Sequence, residues 1–109
     1  NTLGRFILIV ENNGAIANMQ DDAMVEVVCE LGINGPRPMS VGNIPQFYLG
    51  LLVQQVSSEK LLVDAYYEHS YQKALEAFTL NRLINDAKVA RKILDALIEA
   101  NKGMWPELK

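Results

Sequence analysis

Two apolar runs of strand length frame a polar stretch near the start of the chain. Residues 5 to 11 begin with Arg5 and continue through Phe6, Ile7, Leu8, Ile9 and Val10, apolar on both faces. This is the pattern of a central strand covered from both sides. Asn12-Asn13-Gly14 then breaks the run, since Asn and Gly tolerate left-handed backbone angles. A second strand is predicted over residues 23 to 31, and it alternates. Val25, Val27, Cys29 and Leu31 share one face, and Met24, Glu26, Val28 and Glu30 share the other. The second face carries two carboxylates and is expected to meet solvent, another domain or another subunit.

Gly32, Asn34, Gly35, Pro36 and Pro38 fall close together and read as a loop. Beyond Asn43 the pattern becomes helical. Pro45 suits a first helical turn, where its missing N–H costs nothing, and a helix is predicted over 45–67. Leu49, Leu52, Val53, Val56, Lys60 and Val63 fall on one stripe, widened by Tyr48, Leu51, Leu62 and Tyr66, which predicts burial over more than half its circumference. Ser70 is a suitable N-cap for a shorter helix over 71–80, with Tyr71, Ala74, Leu75 and Phe78 at helical spacing. Asn85 caps a last helix over 86–102, in which Val89, Ile93, Ala96, Leu97 and Ala100 are predicted to face inward. Arg91 and Asp95 form an i,i+4 pair there, worth about 0.3–0.5 kcal/mol. Gly103 ends that helix, and Met104-Trp105-Pro106 is expected to be an ordered tail, because Trp105 is costly to leave in water. The fold class is therefore α+β: short strands followed by three helices.

At 109 residues the chain has the size of one domain, residues 1–109, able to bury a core without disulfides or metal. The formal net charge of −3 is local in origin. Up to Asn43 there are Arg5 and Arg37 against Glu11, Asp21, Asp22, Glu26 and Glu30, whereas basic and acidic residues balance beyond it. Without a basic patch, neither nucleic acid nor an anionic membrane is an expected partner. No run of about 18 apolar residues and no signal peptide is visible, so the expected localisation is cytoplasmic. The abrupt start, an apolar strand with no initiating Met, is expected of a piece of a longer polypeptide.

The candidate chemistry is sparse. Glu11, Asn12, Asn13, Asn18, Asp21 and Asp22 crowd the connection between the strands. Amides beside a strand end can bind sugar hydroxyls or phosphate; the same residues also serve a plain turn, with Asp21 and Asp22 solvated. Glu26 and Glu30 lie roughly 13 Å apart along a strand, too far for a glycosidase carboxylate pair. His69, the single histidine, sits at a helix end, with no HxxxH or CxxC nearby to make a metal site. Cys29 lies inside a strand and reads as a buried structural thiol. Ser57-Ser58 has no nucleophile context, and Tyr48, Tyr66, Tyr67 and Tyr71 read as core or interface. No self-sufficient active site is present, and no catalytic, cofactor-binding or metal-binding residue is assigned.

The order Glu11-Asn12-Asn13-Gly14-Ala15-Ile16-Ala17-Asn18, then Ala23 to Val27, then Val41-Gly42-Asn43-Ile44-Pro45-Gln46, resembles the C-terminal region of glycoside hydrolase family 4. The resemblance continues through Gln54 to Leu61, Ala87 to Arg91, Glu99 to Lys102 and Trp105 to Leu108, and so spans the chain. Ala17-Asn18, where many members have proline, is similar to the branch acting on 6-phospho-α-glucosides such as maltose 6′-phosphate. Val28 departs from the proline that relatives commonly carry before Cys29.

The resemblance implies a fold like the C-terminal domain of lactate dehydrogenase, and a parent enzyme that uses NAD and manganese. It also implies a redox route: oxidation of the sugar at C3, loss of the C2 proton to a tyrosine, elimination of the glycosidic bond, hydration and return of the hydride. The dinucleotide domain, metal ligands and tyrosine base are expected upstream. Cys29, His69 and the tyrosines stand outside those motifs and inherit no role. What carries over is that Asn12, Asn13 and Gly14 line the substrate cleft. A phosphorylated disaccharide is the implied substrate, and subunit contacts in a homo-oligomer are the implied partners. Two other readings stay open: a non-catalytic oligomerisation or interaction module, and the same domain of a 6-phospho-β-glucosidase or an α-galactosidase.

Overall fold

The computed structural model describes residues 3–84 and 86–109. Six elements follow in chain order: β1 (Gly4–Glu11), β2 (Met24–Gly32), β3 (Gly35–Pro38), α1 (Gln46–Glu68), α2 (Tyr71–Leu80) and α3 (Ala87–Ala100). This is the α+β arrangement that the hydropathy pattern predicts. The chain forms two compact units, Asn1–Leu51 and Leu52–Lys109.

In the first unit the strands form one antiparallel sheet of order β1-β2-β3. Ala23 and the alternate β2 residues Val25, Val27 and Cys29 are buried, together with Ala15, Ile16 and Met19 from the connection. The predicted β2 alternation is thus observed, except that Leu31 is 38% exposed. Two strand expectations are corrected. β2 is the central strand and β1 lies at the sheet edge, with Ile7 and Ile9 about two-thirds exposed. A continuous apolar run records strand propensity without recording a place in the sheet.

The segment read as a loop contains β3. Its register runs from Cys29↔Pro38 to Gly32↔Gly35, so the reversal consists of Ile33 and Asn34, with Gly35 at φ 90°. Proline is tolerated because β3 is an edge strand, where a missing N–H can face outward. Asn34-Gly35 between two runs was the available hairpin signal.

In the helical unit, Ala65, Ala74 and Leu94 form a buried cluster overlaid by Tyr71, Leu75, Phe78, Ile98, Trp105 and Leu108. The buried Ser58 hydroxyl donates to the Ala77 carbonyl at 2.8 Å, and Gln54 Nε2 donates to the Leu80 carbonyl at 2.9 Å, tying α1 to α2. Two helix-face expectations are corrected. α1 buries only Val56, Ser58 and Ala65, while Tyr48, Val63, Tyr66 and Tyr67 are mostly exposed. In α3 the inward stripe is Ala90-Leu94-Ile98, not Val89-Ile93-Leu97. Both stripes are apolar and only one holds the fully buried Ala90 and Leu94, so composition alone could not choose between them.

Caps follow ordinary chemistry. Ser70 caps α2 as predicted, its hydroxyl accepting from Lys73 N at 3.3 Å. Asn85, read as the α3 cap, lies outside the described residues; Asp86 accepts from Lys88 N and Val89 N. His69 ends α1 at φ 56°, and the Ser70 amide donates back to the Ala65 carbonyl at 3.0 Å, a Schellman closure with histidine at the position usually given to glycine. The tail is ordered as expected: Lys109 N donates to His69 O at 2.8 Å, and Tyr71 N donates to Lys109 O at 3.0 Å.

Candidate functional site

Asn12 determines the shape of the β1–β2 connection. Its side chain is 1% exposed. The Nδ2 amide shares its two hydrogens among three carbonyls, Ile16 at 3.0 Å and Met19 and Gln20 at 3.1 Å each. Its Oδ1 accepts from Ile16 N at 2.7 Å. The Asn12 main chain adds two bonds, N to Ala23 O and Ala15 N to its own carbonyl, both 2.8 Å. A neutral amide suits this position because it supplies donors to the carbonyls and an acceptor to the Ile16 N–H from one small group.

The tight turn closed by these bonds places Asn13 at φ 41° and Gly14 at φ 85°, the left-handed geometry that Asn-Gly predicts. Both are exposed. Asn13 N donates to Asp21 O at 2.9 Å, and Asn13 Nδ2 donates to the Glu11 carboxylate at 3.3 Å. Among the described residues the Gly14 amide donates to no acceptor. The tip of the turn therefore offers an amide group, an open N–H and a carboxylate, a set suited to hydroxyl-bearing ligands.

A second segment is fastened to this connection. Ile16 and Gly42 form a parallel bridge, with Ala17 N donating to Gly42 O at 2.9 Å and Val41 N to Ala15 O at 2.7 Å. Asn18 completes the clasp by pairing with the Ile44 backbone: Nδ2 donates to Ile44 O and Oδ1 accepts from Ile44 N, both at 3.0 Å. Two of the sequence motifs that carry the family resemblance, 11–18 and 41–46, are thus one hydrogen-bonded body. Sequence reading marked Asn18 as polar but had no signal for its partner 26 residues away.

The other candidates lie elsewhere. Glu30 sits between Arg5 at 3.6 Å and Arg37 at 3.0 Å, directly opposite both in register, and so forms a cross-strand ion pair. A groove of about 530 Å³ beside the β2–β3 reversal is lined by Leu3, Glu30, Leu31 and Arg37 among others, and includes none of Asn12, Asn13 or Gly14. Cys29 is fully buried with its thiol on Val27 O at 3.6 Å, and the His69 ring meets Glu107 O at 3.2 Å. Among the described residues no three His, Cys, Asp or Glu side chains come together as a metal site. In the helical unit the Tyr71 hydroxyl is held above its usual ionisation range, first by its hydrogen bond to Asp95. Lys73 is likewise raised by its bond to Glu68. Among the described residues no nucleophile–base pair appears at the turn.

Residues 1–84 match the family 4 glycosyl hydrolase C-terminal domain, and the chain belongs to that family. It is 58% identical to a maltose-6′-phosphate glucosidase of Bacillus subtilis, over 99% of this chain and 24% of the relative. A crystal structure of a 6-phospho-α-glucosidase from gut microorganisms, in complex with NAD and Mn²⁺, superposes with a TM-score of 0.94 at 90% identity, over 97% of this chain and 24% of that one. A 6-phospho-β-glucosidase from Thermotoga maritima with NAD and glucose 6-phosphate superposes at TM-score 0.86 with 28% identity, over 98% of this chain and 26% of that one. The fold is thus that of family 4 C-terminal domains, the class resembling the C-terminal domain of lactate dehydrogenase. The chain spans about a quarter of the length of the curated relatives it matches.

Proposed function

We propose that these 109 residues are the C-terminal part of an NAD- and Mn²⁺-dependent 6-phospho-α-glucosidase, a cytoplasmic homo-oligomer hydrolysing phosphorylated α-glucosides such as maltose 6′-phosphate by redox-assisted elimination. One observation carries the reading: identity is 58% and 90% to a maltose-6′-phosphate glucosidase and a 6-phospho-α-glucosidase, against 43% and 28% to relatives named 6-phospho-β-glucosidases. The family resemblance places the dinucleotide domain, metal ligands and tyrosine base upstream of this stretch. Among the described residues no three His, Cys, Asp or Glu side chains come together, and Cys29 is fully buried. The proposal therefore gives cofactor binding and the proton transfers to the remainder of the parent, and gives this stretch no catalytic step. Alone it is inactive.

Its part in the reaction is to line the sugar cleft with the Asn12-Asn13-Gly14 turn: Asn13 and Gly14 face outward, and Asn12 supports them from within. The exposed apolar side chains of α1 and α3, among them Tyr66, Tyr67 and Val89, support contact with other parts of the parent or with a second subunit. The test is to assay the complete protein, supplied with NAD and Mn²⁺, on phosphorylated α- and β-glucosides and on an α-galactoside. Preference for the phosphorylated α-glucoside is expected; equal turnover of the α-galactoside would sink the assignment. Calorimetry on the isolated chain should show no NAD binding.

A further inference from the structure

Asn18 is exposed, yet both polar ends of its side chain are used on the backbone of Ile44, just before Pro45 and the start of α1. Asn12, buried in the same connection, uses its amide wholly on Ile16, Met19 and Gln20. Between these two anchors stands the outward tip, Asn13 and Gly14, held at positive φ. A free chain would sample many conformations there, and fixing them on ligand binding carries an entropic cost that prior anchoring removes.

We infer that Asn12 and Asn18 are positioning residues for substrate: their backbone bonds preset the Asn13-Gly14 tip to meet the hydroxyls of the phosphorylated glucoside. The inference rests on the reading that this tip lines the cleft. Asn12 acts through the turn it closes. Asn18 acts through the clasp of 15–18 onto 41–44, which gives the far side of the connection a fixed support. Neither touches substrate itself.

Because Asn12 is buried, its removal threatens the fold, and Asn18 provides the cleaner test. Loss of the Asn18 amide leaves the Ile44 N–H and C=O at an exposed position where water can replace it. Steady-state kinetics of the complete enzyme, loaded with NAD and Mn²⁺ and using para-nitrophenyl α-glucoside 6-phosphate, are compared for wild type, Asn18→Ala and Asn13→Ala, with a melting temperature for each. A tip that must be ordered on binding weakens ground and transition states alike. Asn18→Ala should therefore raise KM by roughly three- to tenfold, with kcat and melting temperature unchanged. Asn13→Ala should lower kcat/KM.

The outcomes separate the inference from the reading beneath it. An effect of Asn13→Ala with none of Asn18→Ala overturns the positioning role alone. A fall in melting temperature and kcat together in Asn18→Ala overturns it in favour of a purely structural role. No change in kcat/KM for Asn13→Ala overturns the cleft reading itself, and the inference with it.

Discussion

The Tyr71 hydroxyl donates to the Asp95 carboxylate across 2.7 Å, joining the first residue of α2 to the middle of α3. Helical spacing pairs Asp95 with Arg91 along one helix; the fold gives it a partner from another. The bond favours neutral tyrosine, and burial and the Asp95 charge act in the same direction. Ultraviolet difference titration of wild type against Tyr71→Phe should therefore show the Tyr71 hydroxyl ionising above its ordinary value. With the folded-state ionisation raised, its contribution to stability is fully present below the unfolded value near pH 10 and is lost as pH rises through the folded one. Tyr71→Phe should cost about 0.5–1 kcal/mol at neutral pH.

Asn12→Ala removes the donors facing three carbonyls and the acceptor for Ile16 N. An unfolding free energy lower by about 3–5 kcal/mol is expected from denaturant titration, because buried polar groups lose their partners. Asn12→Asp keeps the acceptor but sets a carboxylate against carbonyl oxygens. Burial and those oxygens push that carboxyl's ionisation up, so the Asp variant should be weakest at neutral pH and regain stability as acid neutralises it. A pH-independent deficit would show that charge is not the cause.

Leu94 is fully buried and Leu97 is 38% exposed on the neighbouring stripe. Leu94→Ala should cost about 3 kcal/mol or more, and Leu97→Ala under about 1 kcal/mol in the isolated chain. Comparable losses would mean that the 89/93/97 stripe faces the core.

His69 occupies the left-handed position that closes α1. His69→Gly removes that strain at the expense of one exposed contact with Glu107 O, and should stabilise by roughly 0.5 kcal/mol. His69→Val should destabilise by more than about 1 kcal/mol, since a β-branched residue is worst suited to positive φ. Thermal melts of the two variants against wild type would give both signs.

Much of this was legible in the sequence by itself. The strand periods, the polar break at Asn12-Asn13-Gly14, the Ser70 cap, the three helices and the family order of motifs each depend on local spacing or local backbone chemistry, which sequence records directly. Asn13 and Gly14 have the left-handed angles their residue types predict. Which partner a side chain meets depends on residues distant in the chain, and that was decided only by the tertiary structure. It placed β1 at the edge, turned Gly35–Pro38 into a strand, chose the 90/94/98 stripe over its apolar neighbour, and drew Asn12 inward while leaving Asn13 in solvent. Two adjacent asparagines have the same chemistry; what separates them is that carbonyls from residues 16, 19 and 20 converge on one, and only the folded connection brings those oxygens together.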